Sequence, residues 1–211
     1  MFAGAAPELQ ERRDRLRQLV TELAQAGVTL LQYRNKVGSD VEVIEDLRVI
    51  RQALTRLEKR NMTLILNDRL SLVAATGCNG VHVGQDDWPP RDARSLLGPQ
   101  AIVGVSTHND DQVCRADLQP VDYIAIGPVS GTASKADTSP VIGLAGVERA
   151  RALTSKPLVA IGGITLEDAT TLYGAGADSL AVIAAIFAPG RRAGDVARQF
   201  LAIHRAARPS R

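Results

Sequence analysis

The chain has few of the features that mark secreted, membrane or nucleic-acid-binding proteins. Its two cysteines, Cys78 and Cys114, fit no CxxC pattern, which indicates reduced thiols in a cytoplasmic protein. Aromatic residues are only 3% of the 211, too few for a platform on which bases stack. The net charge of +2 is too small to indicate a nucleic-acid or membrane partner. No apolar run approaches the roughly 20 residues that span a bilayer, and residues 1–13 lack a signal-peptide pattern.

With 45% hydrophobic and 23% charged residues, the composition is typical of a globular protein. We expect one domain over residues 1–211, and the sequence leaves open whether it forms a homo-oligomer. Apolar periodicity predicts helices that alternate with short strands. The predicted helices cover 7–26, 40–57, 70–76, 91–97, 110–116, 144–153, 165–173 and 194–206. The predicted strands cover 28–32, 63–66, 80–84, 101–105, 122–126, 158–161 and 178–182.

This alternation predicts parallel βαβ units, and two α/β architectures compete for them. Nearly every predicted strand ends in a polar or glycine cluster, as in a barrel whose βα loops line one active face. We therefore predict a TIM (β/α)8-type barrel rather than a doubly wound open sheet. Only seven strands are found, so the first strand is short or missing. Residues 1–6 form a degenerate strand, or the chain starts late.

The stretch Thr63–Trp88 is the centre of this pattern. Two neighbouring strands end there in acidic groups, Asp68 after the first and Asp86-Asp87 after the second. Carboxylates that meet at one sheet edge repel each other, and Mg2+ is the usual ion between them. We favour Asp87 over the more exposed Asp86 as a ligand. The alternative is that these residues only cap the following helices.

Three further clusters predict anion binding at the same face. Gln32, Arg34 and Lys36 alternate along an extended segment, so they can point to one side and bind phosphate, although a solvated strand end is the alternative. Residues 127–135 form a hydroxyl-rich loop that ends in Lys135 and is either a lid over a phosphorylated substrate or a plain surface loop. The last two βα turns, at Gly162-Gly163 and after Ala181, suit phosphate binding by backbone N–H groups.

Ser106 adds a hydroxyl at a strand end, whereas His82 is more typical of a hydrogen-bonded interior histidine. No Ser/His/Asp or Cys/His set is present in the sequence. Together the clusters indicate metal-assisted departure of a phosphate-type leaving group rather than proton transfer.

From Val28 to Phe187 the chain resembles the thiamine phosphate synthase family. The motifs that carry the resemblance are Q-Y-R-N-K (32–36), L-N-D-R (66–69), G-V-H-V-G-Q-D-D (80–87), G-V-S-T-H (104–108), D-Y-I-A-I-G-P-V (122–129) and A-I-G-G-I (160–164). The resemblance implies that hydroxymethylpyrimidine diphosphate is joined to thiazole phosphate and that diphosphate leaves first.

The resemblance also implies roles for individual residues. It assigns Mg2+ to Asp68 and Asp87, and a catalytic role to Lys135, Ser106 and Arg34. The pyrimidine substrate would be bound by Gln32, Arg34, Lys36, Asn67, Ser106 and Lys135. The thiazole phosphate would be bound by Thr132, Ser134, Gly163, Ile183 and Ala184.

The chain departs from the family pattern at two places, and two other functions compete with that of a synthase. The family's F-P-T-x-T-K loop here reads S-G-T-A-S-K, and Gly131 in place of proline should loosen it. The family's first strand, with its L-Y-x-(V/I)-T-D character, is absent. A thiazole tautomerase on the same fold would not need both metal carboxylates, and this chain has both. The second rival is a non-catalytic regulator that binds thiazole phosphate.

Overall fold

The computed structural model describes residues 7–58, 62–131 and 139–207. Within them, helices and strands alternate along the chain. The strands are β1 (Leu30–Tyr33), β2 (Thr63–Asn67), β3 (Gly80–Val83), β4 (Ile102–Thr107), β5 (Tyr123–Ile126), β6 (Leu158–Ile161) and β7 (Ser179–Ala181). The helices are α1 (Pro7–Ala26), α2 (Asp40–Arg56), α3 (Val73–Thr76), α4 (Pro90–Leu97), α5 (Asp110–Asp117), α6 (Gly143–Leu153), α7 (Leu166–Gly174) and α8 (Ala193–Ala207).

All seven strands are parallel and lie in chain order in one sheet that curls into a half-barrel. The predicted barrel-type fold is therefore confirmed. In the described part of the chain, β1 and β7 are the edges of the sheet, and Leu30 on β1 is 48% exposed. The helix layer is continuous where the sheet is not, because α1 packs against both α8 and α2. Residues 1–6, where a degenerate first strand was predicted, lie outside the described residues.

The central strands are buried on both faces, and their alternation separates two environments. Leu64, Leu66 and Val81 belong to the apolar layer between the sheet and the helices. The residues between them, such as Ile65 and His82, therefore face the concave side of the sheet. Polar residues on that side lie close to the carboxyl ends of the strands, which is where the candidate site forms.

Local capping explains several of the helix limits. Ser39 begins α2 with a capping box to Glu42, and Thr165 begins α7 in the same way with Asp168, as its sequence predicts. The predicted helix at 70–76 is instead a 3-10 turn (Leu70–Leu72) followed by one α-turn, which ends at Gly77 in the left-handed conformation. No helix of the described residues is long and apolar enough to cross a membrane.

Candidate active site

The acidic groups predicted from β2 and β3 do meet. Asp68 follows β2 in a left-handed conformation (φ 62°), and its backbone N–H donates to the carbonyl of His82 at 2.9 Å. The Asp87 carboxylate accepts a hydrogen bond from the Gly84 N–H at 2.8 Å, which turns it back towards the end of β3. The side chains of Asp68 and Asp87 then lie within hydrogen-bonding reach of each other. Asp86 is more exposed than Asp87, and the choice of Asp87 as the ligand stays a prediction.

One cation of the chain lies beside this acid pair. The Lys36 ammonium is 3.0 Å from the Asp68 carboxylate. Burial nevertheless raises the pKa of Asp68; Lys36 opposes this rise, and the neighbouring Asp87 adds to it. The site therefore sets two carboxyl groups against one ammonium, and an added cation would relieve the burial and repulsion that raise the pKa of Asp68.

The donor set suits a hard divalent cation. Mg2+ typically takes one or two protein carboxylates and completes its octahedron with water and phosphate oxygens. The described residues contain no cluster of three or more His, Cys, Asp or Glu side chains that could hold a metal alone. Asp68 and Asp87 thus fit an ion that is shared with a phosphate-bearing ligand. The strand-end residue Asn67 is buried next to them.

Arg69, for which the sequence predicts no role, fastens the loop that carries Lys36. Its guanidinium pairs with the Asp40 carboxylate and donates to the backbone carbonyls of Gly38 and, at 3.1 Å, Asn35. These acceptors lie on either side of Lys36 along the β1–α2 connection. Arg69 therefore ties that loop to the end of β2, where Asp68 is its chain neighbour. The sequence signal for Arg69 was its place in the L-N-D-R motif (66–69).

The three residues predicted to form an anion site on β1 take different positions. Lys36 reaches the acid pair, whereas the exposed side chain of Gln32 lies near the Tyr123 phenol and opposes the rise of its pKa. Tyr33, between them in alternation, points to the opposite side and donates to Asp46 of α2. Arg34 is partly buried beyond the end of β1. The alternation is as predicted, whereas the joint binding of phosphate stays a prediction.

Ser106 lies at the end of β4 on the concave side, almost fully buried. Its hydroxyl is 2.8 Å from Nε2 of His82, and its backbone carbonyl accepts a hydrogen bond from the Gln85 side chain at 2.6 Å. The second ring nitrogen of His82 is 2.8 Å from the phenol oxygen of Tyr123. His82 is thus the hydrogen-bonded interior histidine that its sequence context indicated. Gln85 and Tyr123 had no assigned role, since nothing local in the sequence connects them to Ser106.

The glycine turn after β6 packs directly on the loop after β5. Gly163 has φ 68°, and a Cβ there would lie 2.6 Å from the carbonyl oxygen of Gly131. The N–H of Ser130 donates to Gly162 at 3.0 Å, so the two loops are joined. A glycine is therefore required at 163 both by conformation and by space.

After β7, Ile183 and Ala184 begin a single helical turn in which the N–H groups of Ile186 and Phe187 donate back to their carbonyls. A turn of this kind leaves its first N–H groups directed outwards, as in many phosphate sites. Three further predicted residues, Thr132, Ser134 and Lys135, lie outside the described residues.

Comparisons with known proteins place this arrangement in context. Residues 5–186 match the family model described as thiamine monophosphate synthase. The chain is 52% identical over 171 residues to a thiamine-phosphate synthase of Koribacter versatilis, covering 81% of this chain and 79% of that protein. It is 38% identical over 173 residues to a thiamine-phosphate synthase of Azorhizobium caulinodans, covering 82% and 80%.

Among solved structures, the chain is similar to a thiamine phosphate pyrophosphorylase from Pyrococcus furiosus. The TM-score is 0.80 at 26% sequence identity, with 92% of this chain and 93% of that chain covered.

Proposed function

We propose that this chain, which belongs to the thiamine monophosphate synthase family, condenses hydroxymethylpyrimidine diphosphate with thiazole phosphate and releases diphosphate. The predicted family and enzyme class, a synthase, are confirmed by the relatives described above. The two substrates, Mg2+ and the residue roles are the proposal. The observation that carries it is the meeting of Asp68 and Asp87 beside Lys36 at the carboxyl ends of β2 and β3.

The leaving-group half of the site is supported by charge. Asp68 and Asp87 would hold Mg2+, which supplies positive charge to a departing diphosphate. Lys36 would pair with a phosphate oxygen of the diphosphate, because its side chain lies beside Asp68 and remains 52% exposed. Arg34 lies on the same connection, and Arg69 holds that connection in place. These groups stabilise charge that develops as the C–O bond breaks.

The rest of the half-barrel would receive the pyrimidine and the thiazole. As the C–O bond breaks, its electron pair goes to the diphosphate oxygen and leaves a pyrimidine-stabilised cation. The thiazole nitrogen then forms the new C–N bond. Buried Asn67 and Ser106 offer neutral polar groups to the pyrimidine, and no described residue is placed as a nucleophile in this scheme. The turns at Gly163 and at Ile183-Ala184 would bind the thiazole phosphate, together with Thr132, Ser134 and Lys135.

Neither rival function gains support from the relatives, which are synthases by name. A thiazole tautomerase would have no need for an acid pair at the ends of β2 and β3. A non-catalytic regulator that binds only thiazole phosphate would not need Lys36 there either. The experiment below has a distinct result for each of these two rival functions.

In the test, the purified protein is incubated with both substrates and Mg2+, and the diphosphate and thiamine phosphate formed are both measured. We expect equal amounts of the two products. Asp68→Ala should abolish turnover without unfolding the protein, and Asp86→Asn, at the exposed neighbour, should leave it unchanged. Absence of product with every divalent metal tried would refute the synthase proposal. Isomerisation of the thiazole without the pyrimidine substrate would identify a tautomerase, and binding without turnover a regulator.

A further inference from the structure

A chain of hydrogen bonds crosses the inside of the half-barrel and ends at Ser106. It begins at the phenol of Tyr123 on β5, and the side chain of Gln32 on β1 lies near that phenol and opposes the rise of its pKa. The phenol oxygen is 2.8 Å from Nδ1 of His82 on β3, and Nε2 of His82 is 2.8 Å from the hydroxyl of Ser106 on β4. His82 and Ser106 are buried and Tyr123 is partly buried, which favours strong and directional hydrogen bonds.

Strand register explains how the chain can form. His82 pairs with Gly104 on β4, and Gly104 pairs with Tyr123 on β5. A side chain between them would block the contact, because a Cβ on Gly104 would lie 2.0 Å from the Tyr123 ring. The ring instead passes over Gly104 and stacks near the imidazole, with the ring centroids 5.5 Å apart. The absence of a side chain at Gly104 therefore allows Tyr123 to reach His82.

The donors in this chain can be ordered from one end. Burial raises the pKa of Tyr123, so its phenol keeps its proton at neutral pH. When Gln32 donates to the phenol oxygen, the phenol proton is directed to Nδ1 of His82. A neutral imidazole that accepts at Nδ1 carries its own proton on Nε2 and donates it to Ser106.

We propose that Tyr123 and His82 are positioning residues that make Ser106 a hydrogen-bond donor to the substrate. Since the Ser106 oxygen accepts from His82, its own proton is turned away from His82 and towards the mouth of the half-barrel. Ser106 then recognises an acceptor atom, such as a ring nitrogen without hydrogen, and rejects a ligand that presents a donor there. This assignment rests on the proposed function only for the identity of the pyrimidine as that ligand.

The first experiment reads the imidazole directly and requires no turnover. The protein is labelled with 15N-histidine, and the His82 signals are assigned by their loss in His82→Gln. We expect the neutral tautomer with hydrogen on Nε2, and a shift towards a mixture of tautomers in Tyr123→Phe. A wild-type His82 with its hydrogen on Nδ1 would overturn the proposed order, whether or not the protein is a synthase.

The second experiment tests action through Ser106 by steady-state kinetics. We expect Tyr123→Phe to lower kcat/KM for the pyrimidine substrate roughly three- to tenfold, the effect of one neutral hydrogen bond. The KM for thiazole phosphate should not change. His82→Leu should lower kcat/KM for the pyrimidine substrate further, and His82→Gln should recover part of that loss through its amide donor. The combination of His82→Leu with Ser106→Ala should be no worse than Ser106→Ala alone.

Tyr33→Phe is the matched control for removal of a buried phenol. Tyr33 also donates to a buried partner, Asp46, but on the outer side of β1. It should lose stability and keep kcat/KM at temperatures where it is folded. Equal kinetic losses in Tyr33→Phe and Tyr123→Phe would show that removal of a buried phenol only disturbs packing. Additive losses in the double variant of His82→Leu and Ser106→Ala would likewise show that His82 does not act through Ser106. If His82→Leu does not fold, Tyr123→Phe and the tautomer still decide the matter, and an inactive wild type would count against the synthase alone.

Discussion

Replacement of Asp68 by Asn should separate the metal site from the fold. Asn has nearly the same shape as Asp and tolerates positive φ, so the backbone at φ 62° is retained. In the metal-free protein, the change removes the repulsion with Asp87 and the attraction of Lys36. The ion pair contributes no more than about 1 kcal/mol, because Lys36 is half exposed. Burial and Asp87 together outweigh it, since the pKa of Asp68 is raised.

Asp68→Asn should therefore be as stable as the wild type without metal at pH 7, or more stable by up to about 1 kcal/mol. The sign follows from linkage: a carboxyl whose folded pKa is raised destabilises the fold as pH rises from its ordinary value through the raised one. The advantage of the variant should disappear near pH 3, where Asp68 is protonated in both states.

Mg2+ with diphosphate should reverse the order of stabilities. At a ligand concentration of 100 times Kd, the wild type gains about 2.7 kcal/mol, and the variant should gain almost none of it. Urea unfolding with and without these ions measures both quantities. Asp86→Asn provides the control, which should respond like the wild type. A loss of more than about 2 kcal/mol in Asp68→Asn without metal, or full stabilisation of this variant by the ions, would refute Asp68 as a metal ligand.

Three further outcomes are expected. Arg69→Lys removes the planar guanidinium that holds the β1–α2 loop on which Lys36 lies. Steady-state kinetics should show a several-fold rise in KM for the pyrimidine diphosphate, and unchanged kinetics would contradict this role of Arg69. Gly163→Ala meets both positive φ and a backbone carbonyl, so urea unfolding should show a loss above about 2 kcal/mol, and a smaller loss would mean that the turn relaxes. Burial and Asp46 raise the pKa of Tyr33 to about 12, and burial raises that of Tyr123. Absorbance titration should find both phenols still protonated at pH 11, and stability should fall as pH rises from 10 to 12, because the unfolded phenols ionise first.

Much of the fold could be predicted because its signals are local. Short apolar strands, each followed by an amphipathic helix, predict parallel units, and the helix limits follow from caps such as Ser39 and Thr165. The acid pair was predictable for the same reason. Neighbouring parallel strands end at one edge, so Asp68, directly after β2, and Asp87, four residues after β3, are placed at the same end of the sheet.

The residues that support the pair could not be predicted in this way. Arg69 contacts residues about 30 positions earlier in the sequence, and the contact depends on the path of the β1–α2 loop. Tyr123 reaches His82 only because strand register places Gly104 between them. A glycine inside a strand has many readings in sequence, and only its neighbours across the sheet show which one applies.

The sequence by itself determined the order of strands and helices, the barrel-type architecture and the presence of Asp68 and Asp87 at one face, since periodicity and strand direction act over short distances. Only the tertiary structure determined that Lys36 and not Gln32 serves the acid pair, and that Gln32 instead joins Tyr123, His82 and Ser106. That division depends on the curl of the sheet, which brings the side chains of separate strands together across the concave face. Register and curvature are properties of the packed sheet as a whole, so no single stretch of the chain encodes them.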